Sequence, residues 1–376
     1  MTALGASLGK ANRFVSVVVI ARNEELTISS CVQAAIGSLE TALAKGKVEG
    51  GEVILVDSAS TDATVQIARK YPITILRLRK EWPMSAAAGR QIGLEHSRGD
   101  LIFFIDGDTV VESDWLSGAL DYINEPQVAA VSGTVFETET GDSMLAHEIQ
   151  AYLVRSRPSG EFGEIEVAPI GLFRREVLDA VSGFHPFLRG AEDLDLGFRI
   201  ALGGRRIIQT RAAMAHHRWS SDGRDVRFID YFRSVAWWSF GSGQACRYRF
   251  GNREIRSKYL DRYINARFAV DYFRALVLAV LVLLQPVIWL TVPFGLLVLL
   301  LLDLGVFGVV EHRRRATNKT WKQIVFTFHR MGYAVIRHAG FALGLLNRIP
   351  DPSDYPRQTI AVQVGKTWTA NALSRR

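Results

Sequence analysis

The stretch FFIDGDTVV, residues 103–111, places two carboxylates directly after an apolar run. A run this rich in Phe and Ile is typical of a strand buried in a parallel sheet. Asp106 and Asp108 follow it with one glycine between them, a pattern that also suits a tight turn. Ionised carboxylates at the end of a core strand are costly unless they are paired or bound to a cation. Oxygen ligands suit Mg²⁺ or Mn²⁺, so the stretch predicts a cation site that could hold a diphosphate.

Predicted strands and helices alternate on the N-terminal side of this stretch. Strands are expected over residues 14–20, 52–56, 73–78 and 101–105, and helices over 85–97 and from about residues 24 and 61. This order predicts an α/β fold with a mostly parallel sheet and helices on both faces. Ligands bind beyond the carboxyl ends of such strands. Three of these ends carry polar side chains, namely Arg22, Asn23, Glu24, Asp57, Asp106 and Asp108.

A dinucleotide-binding domain would share this topology. It requires a glycine-rich turn after the first strand, whereas the sequence there is IARNEEL, without GxGxxG. The pattern GxxxxGK[ST] is also absent. A metal is therefore the expected partner of a phosphate here.

Six segments, in order and spacing, resemble family 2 glycosyltransferases with the GT-A fold. They are VVVIARNEE (17–25), EVILVDSASTDAT (52–64), SAAAGRQIGLEHSRGD (85–100), FFIDGD (103–108), GLFRREVLDAVSGF (171–184) and GAEDLDLGFRIALGG (190–204). The resemblance covers roughly residues 14–220. It implies that the nucleotide sugar is bound by Ala21, Asn23, Glu24, Asp57, Arg90 and Asp106.

The resemblance also implies catalytic and metal-binding roles. Asp193 would be the general base, with the adjacent Glu192 orienting it, because inverting transfer needs a carboxylate to take the acceptor proton. Asp108 and Asp106 would hold Mg²⁺ or Mn²⁺, completed by His216 or His217, a choice that the sequence leaves open. Without the resemblance, the cluster AEDLD would read as an acidic first helical turn.

Two positions depart from patterns common in the family. Arg218 and Trp219 match the end of the QxxRW motif of processive synthases, but Ala215 stands where that motif has Gln. This difference weakens a polymerase interpretation. Ala191 replaces a Thr that often precedes ED, which leaves acceptor contacts there open.

The second half of the chain differs in charge and hydropathy. Residues 1–204 carry 18 Lys and Arg against 28 Asp and Glu, whereas residues 205–376 carry 27 against 10. The basic half contains the apolar block Ala275–Val310, interrupted by Pro286 and Pro293. Its length suits two short membrane spans, and arginines on both sides place both ends in the cytoplasm. A buried helical core is the alternative.

The regions flanking this block are expected to contact the membrane surface. Residues 224–262 interleave arginines with aromatic side chains, which could bind nucleic acid but suits an anionic leaflet better here. Residues 321–347 are predicted to form an amphipathic interfacial helix, because Gln323, Arg330 and Arg337 share one stripe. Gly340 and Gly344 form a single GxxxG pattern, which by itself predicts nothing. The two cysteines, Cys31 and Cys246, are expected to be buried thiols in a reducing compartment.

These observations predict four segments. They are a GT-A catalytic domain (1–223), a basic and aromatic interfacial segment (224–270), a transmembrane hairpin (271–315), and an amphipathic helix with a tail (316–376). The N-terminus lacks a secretory h-region, so the catalytic domain is expected in the cytoplasm, at the inner membrane. The predicted activity moves a hexose from a nucleoside-diphosphate sugar to a lipid-linked saccharide acceptor, as in exopolysaccharide or lipopolysaccharide assembly. No nucleic-acid partner is expected. A polyprenyl-phosphate hexose synthase and a catalytically silent membrane scaffold are the alternatives.

Overall fold

A computed structural model describes residues 13–138, 158, 160–218, 228–264, 333, 335–358 and 360–369. The chain divides into two units. Residues 1–230 and 349–376 form the unit that contains the predicted catalytic residues, here called the catalytic unit, and residues 231–348 form a helical unit. The predicted boundary at residue 223 and the predicted hairpin, residues 271–315, lie outside the described residues.

The described strands of the catalytic unit form one mixed sheet. They are β1 (Phe14–Ala21), β2 (Gly50–Asp57), β3 (Thr74–Arg77), β4 (Leu101–Asp106), β5 (Thr109–Val111), β6 (Val128–Thr138), β7 (Phe162–Ile165), β8 (Gly171–Arg174), β9 (Arg206–Arg218), β10 (Ile360–Gln363) and β11 (Trp368–Thr369). The strand order is β10-β3-β2-β1-β4-β8-β6-β9-β5, with β11 beside β2 and β7 beside β9.

The helices of the catalytic unit alternate with these strands. They are α1 (Ile28–Ala44), α2 (Thr64–Ala68), α3 (Ala86–His96), α4 (Trp115–Tyr122), α5 (Arg175–Ala180) and α6 (Glu192–Leu202). The predicted α/β class and the first four strands are confirmed. The prediction worked here because β1, β2 and β4 are apolar runs whose central residues are buried, and they pair in parallel.

Parallel pairing brings three strand ends to one edge of the sheet. Ala21, the last residue of β1, lies opposite Asp57, the last residue of β2. On the other side of β1, Ile20 lies opposite Asp106 at the end of β4. The polar groups that follow these strands therefore emerge side by side, as predicted.

The C-terminal residues return to the catalytic unit, which the sequence analysis did not anticipate. We predicted a tail that follows an interfacial helix, but β10 pairs antiparallel with the edge strand β3, and β11 pairs with β2. Trp368 is buried, and its indole donates to Glu40 (3.1 Å). The physical reason is that β3 would otherwise present an unpaired edge, and β10 covers it.

The described part of the helical unit contains three helices. They are α7 (Phe228–Tyr248), whose first residues lie in the catalytic unit, α8 (Arg253–Tyr263) and α9 (residues 335–346). Asn252 caps α8 by accepting from the backbone N–H groups of Glu254 and Ile255. Within the described residues, no helix is both long and apolar enough to span a bilayer. Both cysteines are buried, as predicted.

Candidate active site

Asn23 joins the loops that follow β1 and β2. Its backbone adopts the left-handed conformation (φ 58°), which Asn tolerates better than most residues. Its N–H donates to the Ser60 hydroxyl (2.9 Å), and its side-chain oxygen accepts from the backbone N–H of Thr61 (2.8 Å). These bonds fix the shape of the crevice edge at the predicted nucleotide site.

Asp57 lies fully buried at the base of this edge. Its carboxylate accepts from the backbone N–H of Ser60 (3.1 and 3.3 Å) and lies 3.1 Å from Nε of Arg77. Burial raises the pKa of Asp57, against the lowering effect of the Ser60 hydrogen bonds and the Arg77 charge. Contact between Asp57 and a nucleotide base would require these covering groups to move. The sequence analysis missed Arg77, although an arginine at the end of a short apolar strand was a possible signal.

Gly107 allows the two aspartates to follow β4 closely. A Cβ at this position would lie 2.8 Å from the Cβ of Ala21, so the neighbouring strand leaves no room for a side chain. The Gly107 N–H donates to the carbonyl of Ile20 (2.8 Å), which ties the turn to β1. Ala21 therefore shapes the site by its close contact with the DGD turn.

Arg90 connects the DGD turn with the start of α6. Its guanidinium is buried, with Nη2 2.7 Å from Asp106 Oδ1 and Nη1 2.5 Å from Glu192 Oε1. A planar guanidinium can hold two carboxylates in this way, whereas a lysine could not do so with the same geometry. The structure thus brings together three predicted site residues that are up to 102 positions apart in sequence.

Burial and charge perturb the acids of this cluster. Burial raises the pKa of Glu192 to about 7; Arg90 opposes the shift, while Asp193 and Asp106 add to it. The pKa of Asp106 is also raised, chiefly by burial, again against the effect of Arg90. One arginine therefore balances several carboxylates, an arrangement common at functional sites.

Asp193 lies at the N-terminus of α6, beside Glu192. It is partly exposed, and its Oδ1 accepts from the backbone N–H of Leu194 (2.8 Å). Ala191 precedes it in a left-handed conformation (φ 55°). Further along α6, Asp195 forms a buried pair with Arg199 (2.8 Å), which donates to the carbonyl of Gly183 (2.7 Å). This pair fixes α6 against the loop that contains Gly183, and it thereby fixes the position of Asp193 in the first turn of the helix.

The two histidines lie on opposite sides of β9. β5 pairs with β9 so that Thr109 faces His217, and successive residues of a strand point to opposite faces. Nε2 of His217 lies 3.1 Å from Asp108 Oδ2. His216 instead contacts Glu112 (3.0 Å) and stacks on Phe136, with 5.4 Å between ring centroids. Of the two histidines, His217 is therefore the one beside the DGD turn.

Asp108 and His217 fit a divalent cation that shares its coordination with a substrate. Mg²⁺ and Mn²⁺ are commonly bound by one or two protein carboxylates, with phosphates and water completing the shell, and imidazole suits Mn²⁺. In the described ranges, no cluster of three or more His, Cys, Asp or Glu is arranged to hold a metal. Asp106 is engaged by Arg90 rather than by His217.

Glu24 adds a further acid near this pair. Burial raises its pKa to about 7, and the negative charge of Asp108 adds to the shift. Its backbone N–H donates to Thr64 (2.7 Å) and its carboxylate accepts from Thr27 (2.9 Å). A cation beside Asp108 would relieve this repulsion.

The returning C-terminal residues touch two loops next to the site. Tyr355 is buried, donates to the carbonyl of Pro83 (2.7 Å), and packs edge-on against Trp82 and Phe187. Its burial raises the pKa of its hydroxyl to about 12. The loop of Trp82 leads into α3, which carries Arg90, and that of Phe187 leads into α6. No motif in the sequence signalled this contact.

Comparison with known proteins identifies a family match for the part of the chain that carries the ends of the first strands of the site. The sequence model of Glycosyl transferase family 2 matches residues 16–182. Over these residues, the chain is similar to family 2 glycosyltransferases. The matched residues include the ends of β1, β2 and β4 and the whole of α3.

Individual relatives agree with this family. The chain is 27% identical over 177 residues to the glycosyltransferase AglE of Haloferax volcanii, which covers 46% of this chain and 56% of AglE. It is 25% identical over 227 residues to a dolichyl-phosphate beta-glucosyltransferase of Dictyostelium discoideum, covering 56% of this chain and 60% of that protein. The matches therefore span less than two thirds of these relatives.

A solved structure shares the fold. The mannosyltransferase PcManGT from Pyrobaculum calidifontis, in complex with GDP-Man and Mn²⁺, superposes with a TM-score of 0.53 at 17% identity, covering 87% of this chain and 86% of that one. The similarity supports the GT-A-type arrangement of the sheet.

Proposed function

We propose that the protein transfers a hexose, with inversion, from a nucleoside-diphosphate sugar to a lipid-linked saccharide acceptor at the cytoplasmic face of a membrane. One observation carries the proposal: buried Arg90 joins the DGD turn to the ED helix, so the predicted donor site and the predicted base form one cluster. The match of residues 16–182 to Glycosyl transferase family 2 supports transfer from a nucleotide sugar.

In the proposed reaction, Asp193 acts as the general base. Its partly exposed carboxylate takes the proton of the acceptor hydroxyl as that oxygen attacks the anomeric carbon. The bond between this carbon and the diphosphate breaks, and the nucleoside diphosphate leaves with the bonding electrons. Arg90 keeps Asp106 and Glu192 in place, and Asn23 and Asp57 form the nucleotide side of the crevice.

Asp108 and His217 would hold Mg²⁺ or Mn²⁺ against the donor diphosphate. When bound, such a cation neutralises the charge that develops on the leaving group. Asp108 is suited to this role because its Oδ2 already faces an imidazole nitrogen of His217.

Two substitutions test the assignment of roles. Asp108→Ala should abolish manganese-dependent binding of the nucleoside diphosphate in calorimetry, and undiminished binding would contradict the metal role. Asp193→Asn should lose transfer but keep donor affinity, because the amide preserves the shape without accepting a proton. Loss of both would indicate a structural role for Asp193.

A thermal-shift panel identifies the nucleotide of the donor. It compares UDP, GDP, CMP and dTDP, each with and without manganese.

A polyprenyl-phosphate hexose synthase is the second candidate. The similarity to a dolichyl-phosphate beta-glucosyltransferase favours it. An assay with polyprenyl phosphate as sole acceptor separates the two, since a saccharide-requiring enzyme forms no product there. A silent scaffold would be supported only if Asp193→Asn left the cellular phenotype unchanged.

A further inference from the structure

The outward face of α9 is entirely apolar. The exposed positions from residue 335 to 346 fall on one helical side and are occupied by Val335, Ala339, Ala342, Leu343 and Leu346. The exposed fractions of the three larger side chains are 46% for Val335, 59% for Leu343 and 79% for Leu346. A contiguous apolar face of this kind marks an interaction surface.

The opposite face of α9 is fixed against α7, so the helix cannot rotate to hide its apolar side. A Cβ on Gly344 would lie 2.1 Å from the carbonyl of Phe240, and one on Gly243 would lie 2.1 Å from the carbonyl of Phe341. The two backbones are therefore in direct contact. The GxxxG pattern, uninformative in the sequence, lies at this crossing.

Arg337 also lies on the inner side. It is buried, with its guanidinium 4.4 Å from the ring centroid of Tyr263 and a hydrogen bond to the Tyr333 hydroxyl (2.8 Å). The polar stripe predicted from the sequence thus contains a residue that packs inside the helical unit. The usual orientation of a surface helix is reversed, with its charge inside and its apolar side outside.

The ends of the long segment between α8 and α9 meet. Nε2 of His338 lies 2.6 Å from the carbonyl of Tyr263, and Arg337 donates to the carbonyl of Arg262 (3.1 Å). The described residues on the two sides of this segment therefore lie next to each other. Between these points lies the apolar sequence Ala275–Val310. Ile264, the last described residue before this sequence, is 72% exposed.

Charge selects the partner of this surface. Residues 231–264 and 335–348 contain nine arginine and lysine residues against two acidic ones, and within these ranges every basic residue except Arg337 is at least partly exposed. A second copy would bring equal positive charge and be repelled, whereas an anionic lipid surface attracts basic residues that lie close to it. We infer that the apolar face of α9 is inserted at the headgroup boundary of an anionic bilayer. This inference rests on the membrane placement in the proposed function but not on the sugar transfer.

Site-specific fluorescence tests the inference on the full chain. Ala342→Cys and Leu346→Cys, each labelled with an environment-sensitive dye, would be placed in nanodiscs of phosphatidylcholine and phosphatidylglycerol. Both native cysteines are buried, which favours labelling at the new site. Ser257→Cys, at an exposed polar position of α8, is the matched control. We expect blue-shifted emission at residues 342 and 346, lost when nitroxide-labelled lipid is added, and neither effect at residue 257.

Two results would overturn the inference. One is water-like emission at residues 342 and 346, equal to that at residue 257. The other is a disulfide between two copies through Leu346→Cys under mild oxidation, which would assign the face to self-association. Manganese-dependent nucleotide binding, measured in the same nanodiscs, reports on the donor site alone, so failure of one proposal is distinguishable from failure of the other.

Discussion

Replacing Glu192 by glutamine should remove a pH-dependent part of the stability of the catalytic unit. Glu192 is buried beside Arg90, and its pKa is raised to about 7 from an ordinary value of 4.5. Between these two values, the native protein holds a proton at this site that the unfolded chain has released. The free energy of unfolding therefore falls as the pH rises through this window. The contribution is complete below pH 4.5 and lost above pH 7.

The size of the effect follows from the width of the window. One pKa unit corresponds to about 1.4 kcal/mol, so the shift of Glu192 corresponds to about 3 kcal/mol. For a domain of this size, that is a difference of about 6–12 °C in Tm between pH 4.5 and pH 7.5. Glutamine has nearly the same volume and can still accept from Arg90, but it does not titrate. The Tm of Glu192→Gln should therefore fall by about 6–12 °C less than that of the wild type between pH 4.5 and pH 7.5.

Thermal unfolding of both proteins at half-unit pH steps provides the measurement. Glu176→Gln is the matched control, because Glu176 also lies beside an arginine but is 65% exposed, and its distance to Arg174 is long at 3.7 Å. Its profile should follow that of the wild type. Parallel profiles for the wild type and Glu192→Gln would refute the reasoning and show that Glu192 is ionised throughout, as an ordinary ion pair with Arg90.

Other substitutions test the histidines and the returning C-terminal segment. His217→Ala should weaken manganese-dependent nucleotide binding by at least roughly 10-fold, whereas His216→Ala should leave it unchanged in the same calorimetric titration. Equal losses would contradict the assignment of His217 to Asp108. Trp368→Ala should lower the free energy of unfolding by about 3–5 kcal/mol in chemical denaturation, because it empties a buried aromatic site. Val364→Ala, at an 84% exposed position, should change it little, and a similar loss there would argue against specific packing of Trp368.

The sequence predicted the parts of the fold that depend on local patterns. β1, β2 and β4 are dense apolar runs, and Ser85 caps α3 by accepting from Ala88, so these elements were placed within one or two residues. Their parallel order also placed Asp57 and Asp106 at one sheet edge. These features depend on short-range periodicity and on the general geometry of parallel sheets.

Features that depend on contacts between residues far apart in the chain could not be predicted from the sequence. The choice between His216 and His217 is decided by the register of β5 on β9, which no local pattern encodes. The pairing of Arg90 with Glu192 joins residues 102 positions apart. The burial of Arg337 reverses the apparent orientation of α9, because a stripe of polar residues does not reveal which side a neighbouring helix covers.

The return of the C-terminus makes the catalytic unit discontinuous along the chain. Trp368 pairs opposite Gly51, and the helical unit is inserted between them in sequence. During synthesis, β2 and β3 emerge hundreds of residues before β11 and β10, so the sheet stays open at that edge until the helical unit has been made. A truncation that keeps residues 13–230 as an isolated domain would preserve every proposed catalytic residue yet leave β3 uncovered. Such a fragment should aggregate through that edge, and adding residues 349–369 as a separate peptide should restore its solubility.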